Sequence, residues 1–383
     1  VEAGNSSLVE ALSASWARIV SLTITERGYF IDPATGEFDP DHPEMIADTE
    51  NPEQPNSVFG ALVMSLKQRR EAGVPPFTVM SCDNLPGNGD VTKDAVVGLA
   101  RMTDLDLAQW IEAEVPFPNG MVDRITPVTT ERERERLLKH FGIEDNWPVF
   151  CEPFRQWVLE DHFSMGRPAL EEVGVTFTDK VSAYELMKIR ILNGGHAAIA
   201  YPAALLDIHF VHEAMSHALI RGFLQKLEKE EIIPIVPPVP GTDLNDYFSL
   251  IQERFSNPDI GDTIPRLCQD GSNRQPKFIL PSIRDRLIQK LDVRGLALES
   301  ALWCRYCYGE SESGKPIFLD NYNSERLRKT AQEARWNPNV FLGLQDIFGD
   351  LGRHPVFRER FSEALESLWS DGVEKTLESY LLL

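Results

Sequence analysis

Two short apolar runs, each followed by an amphipathic stretch, constrain the fold of this chain more than any other feature. Residues 18–25 (RIVSLTIT) are rich in β-branched side chains without helical spacing and read as a buried strand. Residues 57–71 then place apolar side chains at helical spacing. Residues 77–82 (FTVMSC) repeat the strand signal, and residues 91–101 the helical one. Strand, helix, strand, helix implies parallel strands joined by crossovers, because a parallel pair cannot be closed by a tight hairpin. Proline-rich connectors follow at residues 115–118 and 147–148, and residues 131–141, with their Glu/Arg alternation, predict a solvated helix. The character changes near Val173. Strand signals thin out after Thr176, and helical periodicity dominates over residues 182–193, 202–228, 280–308 and 355–368, with a proline-rich link at 233–241. The expectation is an α/β parallel-sheet domain over residues 1–176 and a mostly α-helical domain over residues 177–383.

Charge narrows the partners. A formal net charge of −21 repels phosphate backbones and anionic lipids, so no nucleic-acid and no membrane partner is expected. No stretch approaches the roughly 20 apolar residues that span a bilayer, and Val1, Glu2, Ala3 and Gly4 carry no secretory pattern. Five cysteines, an odd count, fit a reducing, cytoplasmic setting better than a disulfide scaffold. Cys304 and Cys307 form a C-x-x-C inside an aromatic helical run with no second ligand pair nearby, which reads as helix packing. His209, His212, Glu213 and His217 lack the i, i+4 histidine pair with an intervening glutamate that a zincin-type site needs, so no metal is expected there.

An α/β domain invites a search for a dinucleotide loop. G-x-G-x-x-G after a strand is not found. The nearest match, Gly87-Asn88-Gly89, lies between a strand and a helix but lacks the third glycine and the acidic partner about twenty residues on, and reads as a turn.

The segment over residues 184–196 (YELMKIRILNGGH) is the chemically informative one. At about 100° per residue, Lys188 defines 0°, Glu185 falls at roughly 60°, His196 at roughly 80° and Asn193 at roughly 140°. A carboxylate, an amine, an amide and an imidazole then share one face if the helix runs on through Gly194 and Gly195. Adjacent glycines cost about 1 kcal/mol each against alanine in a helix, and make sense where a ligand approaches the backbone. The bland alternative is an exposed i, i+3 ion pair and a histidine that merely packs.

The run Lys188-Ile189-Arg190-Ile191-Leu192-Asn193-Gly194-Gly195-His196 resembles the K-x-x-x-L-N-x-x-H signature of the polyol-specific long-chain dehydrogenases, the mannitol dehydrogenase family. Residues 21–26 (SLTITE), 79–86 (VMSCDNLP), 118–127 (PNGMVDRITP), 147–154 (WPVFCEPF) and 270–272 (DGS) continue the likeness in order along most of the chain. Arg27 departs from the smaller residue many members carry. The family begins with a glycine-rich strand–turn–helix segment holding the pyrophosphate loop and the acidic residue that selects NAD over NADP. The chain as given starts after it, so the expectation is a chain lacking that segment, with the principal cofactor-binding residues upstream of Val1. The α/β part is then the C-terminal portion of a Rossmann-type nucleotide-binding domain.

The resemblance implies reversible conversion of D-mannitol to D-fructose with NAD as cofactor, by a monomer that needs no metal. It implies Lys188 as general base, a role open to lysine near neutral pH only where burial lowers its pKa by several units. Asn84 and Asn193 match amides that donate to the developing oxyanion, and His196 matches a contact to the reacting hydroxyl. Asp123 and Arg266 match residues that hold the distal hydroxyls. Glu185 matches a proton conduit to solvent, since an ionised carboxylate beside Lys188 would oppose its work as a base. Sister substrates on the same scaffold, arabinitol or fructuronate, remain open, and a uronate would want a second cation facing Arg266. The rivals from other classes are a non-catalytic helical binding module and a metal-dependent hydrolase.

Overall fold

The computed structural model describes residues 5–32 and 37–383. Residues 1–4, on which the reading of the N-terminus rests, and the side chain of Arg27 lie outside the described residues. The chain divides into two compact units, Val1–Arg124 with Phe154–Glu185, and Ile125–Pro153 with Leu186–Leu383.

In the first unit, β1 (Ile19–Leu22) and β2 (Thr78–Ser81) pair in parallel, with Ile19 opposite Thr78 and Leu22 opposite Ser81. The crossover contains the helix Val58–Glu71, started by Ser57, whose hydroxyl accepts the Gly60 N–H. Buried Phe59, Leu62, Leu66, Phe77, Val79, Val96 and Leu99 form the layer between strands and helices. The helix that follows β2, Asn88–Thr103, begins three residues earlier than the apolar spacing indicates.

A second sheet in this unit is not announced by the sequence pattern. β3 (Gly120–Asp123) pairs antiparallel with β4 (Gln156–Leu159), and β4 pairs in parallel with the two-residue β5 (Thr176–Phe177). These strands are too short to show alternation. The start of β3 is held by a side chain, Asn88, which is fully buried. Its Oδ1 accepts the Gly120 N–H at 2.8 Å, and its Nδ2 donates to the carbonyls of Gly120 at 2.8 Å, Asp83 at 3.1 Å and Ser81 at 3.3 Å. One amide thus ties the end of β2 to the start of β3. The neighbouring Gly89 is required by packing, because a Cβ there would lie 2.4 Å from the Phe117 carbonyl oxygen.

The second unit is built from helices around buried aromatic side chains, including Trp303, Phe341, Phe348 and Phe357. The periodic run 202–228 is not one helix. It is divided among Gly194–Leu205, Val211–Ser216 and Ala218–Lys226, with Asp207 in the left-handed region at the first break. The run 280–308 is likewise two helices, Leu280–Ile288 and Arg294–Cys307, with Lys290 left-handed between them. Buried Glu231 caps the second of these, accepting the N–H groups of Gly295 and Leu296. Cys304 and Cys307 are buried in that helix with free thiols.

The helix Glu131–Phe141 buries none of its residues. The segment carrying it is held to the second unit by Glu152, whose carboxylate accepts from Arg254 Nη2 at 2.7 Å, Arg254 Nε at 2.9 Å and the Ile125 N–H at 2.5 Å. Among the described residues no helix is long and apolar enough to cross a membrane.

Asn88→Ala removes the partner of one buried N–H and three buried carbonyls at once. A loss of about 3 kcal/mol is expected, since each buried polar group left unsatisfied costs about 1–3 kcal/mol. Chemical denaturation of the variant measures it, and a loss below about 1 kcal/mol would show that water or a rearranged turn substitutes for the amide.

Candidate active site

In the first unit the candidate residues stand at the carboxyl ends of strands, where open α/β sheets place their ligands. Asn84 follows β2. Its neighbour Asp83 fixes the local chain, with its carboxylate accepting the Ile24 and Thr25 N–H groups at 2.9 Å each and the Tyr29 hydroxyl at 2.6 Å. The same contacts hold Thr25 at φ 65° and, together with burial, push the Tyr29 phenol well above its usual range. Asp123 closes β3 opposite Gln156 and is buried.

Glu185, on the helix Val181–Met187, accepts the Gly87 N–H at 3.0 Å. Asn119 Oδ1 takes the next two free N–H groups of that helix start, from Gly89 at 2.9 Å and Asp90 at 3.1 Å. The peptide donors around Gly87 and Gly89 are therefore already satisfied by the protein's own side chains. This turn is not a phosphate cradle, in keeping with its missing third glycine.

The second unit carries Lys188, Asn193, His196 and Arg266. The helical run does continue through Gly194 and Gly195, but not as an α-helix throughout. Lys188–Asn193 is a π-helical turn, and Gly194–Leu205 resumes the α-helix. The angles computed at 100° per residue are therefore corrected here. In an α-helix residues five apart differ by about 140°. The i→i+5 bonding of a π turn brings them toward one side of the helix, so Lys188 and Asn193 approach a common face. A Cβ on Gly195 would stand at ordinary contact distance, 3.4 Å from Glu228 Oε1, 3.4 Å from Leu224 and 3.5 Å from Phe255, so packing alone does not require glycine there.

Lys188 is buried. Asn193 Oδ1 and His196 Nε2 are shielded from solvent and have no hydrogen-bond partner in the protein. Native proteins rarely leave such atoms unsatisfied, and those that remain mark a place for water or ligand. The His196 ring stacks on Phe255, with centroids 4.1 Å apart and 16° between planes. Burial, reinforced by the positive charges of Arg266, Arg274 and Arg254, holds its imidazole well below the usual range. A neutral imidazole results, suited to exchanging a hydrogen bond with a hydroxyl rather than to binding an anion. Arg266 is forked onto Asp262 through Nε and Nη2, at 2.5 Å each.

Sequence reasoning passed over several groups here. Buried Arg190, on the π turn, pairs with Asp285 at 2.5 Å. Glu228 is wholly buried, and desolvation raises its carboxyl well above the usual range. It lies in an acidic run that looks solvated, and no sequence signal separates it from its neighbours. Asp262 had a signal, since it stands four residues before Arg266. Of the histidines weighed as ligands, His209 and His212 have ring contacts with Phe210, and His217 lies 3.2 Å from Glu374.

Comparison with known proteins identifies the family. The model described as "Mannitol dehydrogenase Rossmann domain" matches residues 3–172, and "Mannitol dehydrogenase C-terminal domain" matches residues 180–369. Mannitol 2-dehydrogenase of Cereibacter sphaeroides is 58% identical over 381 residues, covering 100% of this chain and 80% of its own length. That of Aspergillus clavatus is 41% identical, covering 95% and 74%. Among solved structures, the Pseudomonas fluorescens mannitol 2-dehydrogenase ternary complex with NAD and D-mannitol superposes with a TM-score of 0.86 at 43% identity, covering 98% of this chain and 77% of that one. A substrate-free D-sorbitol dehydrogenase gives a TM-score of 0.89 at 34% identity, covering 97% and 77%. With both of the family's domains matched in order and this degree of identity to its members, the chain belongs to the mannitol dehydrogenase family.

Proposed function

We propose that this protein is an NAD-dependent dehydrogenase that interconverts D-mannitol and D-fructose without a metal, with Lys188 as general base. The observation that carries the reading is the π turn, which turns a buried lysine and an amide toward one side of a helix whose next turn holds a neutral, shielded imidazole. The relatives named mannitol 2-dehydrogenase, and the solved complex of one of them with NAD and D-mannitol, supply the substrate and cofactor. NAD, when bound, is the hydride acceptor, and the carboxyl ends of β1 and β2 are the part of this chain suited to face it.

The roles follow from the chemistry of a secondary alcohol. Lys188 takes the hydroxyl proton. Asn193 and Asn84 donate to the oxygen as negative charge develops on it, which neutral donors do without permanently holding an anion. His196 hydrogen-bonds the same hydroxyl and limits its rotation. Asp123 and Arg266 hold the distal hydroxyls, so that C2 is presented for transfer. Glu185 accepts a proton on its way to solvent. The likeness to a D-sorbitol dehydrogenase favours a second reading, a sister polyol on the same scaffold. Mannitol, sorbitol, arabinitol and fructuronate assayed side by side decide between them.

Lys188→Ala is expected to lower mannitol oxidation by several orders of magnitude, because base catalysis contributes about 10²–10⁴-fold. Added small amines should restore part of it. A variant that keeps more than about a tenth of wild-type turnover at its pH optimum would remove Lys188 from this role.

Asn84→Ala and Asn193→Ala should each slow turnover by about 10²-fold or more while leaving NADH affinity nearly unchanged, as expected for donors that act in the transition state. Parallel losses in turnover and NADH binding would assign the amides to structure instead.

Because a lysine takes the proton and amides stabilise the oxyanion, no Lewis acid is needed. Activity should survive exhaustive dialysis against a chelator. Stoichiometric zinc whose removal and return abolish and restore turnover would overturn the lysine mechanism.

A further inference from the structure

Asp262 has a place in the site that the reading above does not use. Its side chain is 5% exposed. It precedes the short helix Ile264–Cys268 and holds Arg266 by the Nε–Nη2 edge, both bonds at 2.5 Å, while its Oδ1 also accepts the Thr263 N–H at 2.8 Å. The surrounding backbone is tied on both sides. Val211 N–H donates to the Asp262 carbonyl at 3.0 Å, and Ile264 N–H donates to the His209 carbonyl at 2.8 Å. The carboxylate therefore cannot swing away. The arginine is fixed by a support that is itself fixed.

A guanidinium has five N–H donors in a rigid plane. The fork on Asp262 uses two of them, and the remaining three lie on the other edges of a side chain that is 38% exposed. The pairing also cancels the charge. An unpaired guanidinium receives anions, whereas one paired with a buried carboxylate presents directed donors with little net field. Arg254, the other forked arginine whose charge reaches His196, is neutralised in the same way by Glu152. A polyol offers hydroxyls along its whole length. A uronate or aldonate of the same length ends in a carboxylate, which beside Arg266 would meet the Asp262 charge as well.

We propose that Asp262 is a specificity-determining positioning residue. It turns the free edges of Arg266 toward the substrate's distal hydroxyls and cancels its charge, so that the site takes neutral polyols and rejects chains ending in a carboxylate. This rests on the polyol reading of the preceding subsection.

The test uses the full-length enzyme with NAD, mannitol as substrate and D-mannonate as the carboxylate-ended probe. In the wild type, mannonate inhibits at least about 10-fold more weakly than the KM for mannitol, with little dependence on salt. Asp262→Asn keeps an acceptor for Arg266 but removes the charge. Its KM for mannitol should rise about 10-fold with kcat little changed, the signature of lost binding that is equal in ground and transition states. Mannonate should bind about 10-fold more tightly, and that gain should shrink as ionic strength rises. Asp262→Glu restores the charge and should return the mannonate-to-mannitol ratio toward the wild-type value. A merely structural role would weaken both ligands together. Tight mannonate inhibition of the wild type overturns the proposal without any variant. So does an active, normally melting Asp262→Asn enzyme whose ratio is unchanged. A wild type that oxidises no polyol overturns this proposal together with the reading on which it rests.

Discussion

The widened turn from Lys188 to Asn193 is the constraint on which the arrangement of the second unit's candidate residues depends. A straight α-helix cannot present side chains five residues apart on one side, and a loop would not hold them still. A π turn does both at the cost of a strained hydrogen-bond pattern. It rejoins the α-helix at Gly194 and Gly195, where an added Cβ would stand at ordinary contact distance from its neighbours, 3.4–3.5 Å from Glu228, Leu224 and Phe255 at Gly195.

Of the three cations whose charge reaches His196, Arg254 is paired with Glu152 and Arg266 with Asp262, while Arg274 donates to the carbonyls of Arg266 and Leu267. The imidazole is neutral because burial and those cations disfavour its charged form. Desolvation raises the Glu228 carboxyl well above its usual range. The unsatisfied polar atoms are Asn193 Oδ1 and His196 Nε2, the latter on an imidazole whose charged form is disfavoured. That environment suits a substrate rich in hydroxyls, which offers donors and acceptors but no charge of its own.

Much of the first unit was legible in the sequence. β1, β2 and the helix after Ser57 follow from apolar runs long enough to show a period; in the second unit the solvated helix Glu131–Phe141 follows from its charges. The three-stranded sheet was not legible, because β3, β4 and β5 span only two to four residues each and the start of β3 is tied by the Asn88 amide. In the second unit, helical periodicity located the helices but not their breaks. Asp207 and Lys290 take left-handed conformations that no glycine or proline announces. The candidate residues themselves were found through a motif resemblance. Their spacing alone favoured an exposed ion pair.

By itself the sequence determined the first strand–helix–strand–helix alternation, the acidic composition and, through a motif resemblance, a set of candidate side chains, because each depends on residue type and local pattern. Tertiary structure decided the rest. It divided long periodic runs into separate helices, widened one turn to bring Lys188 and Asn193 toward a common side, and gave Glu185 a peptide partner at Gly87. It also buried Asp262 against Arg266, so that an i, i+4 pair which on an open helix would be worth a few tenths of a kcal/mol became a fixed fork. The physical reason is common to all of these. Backbone widening, charge compensation and desolvation are set by what packs around a residue, and that information lies in distant segments of the chain.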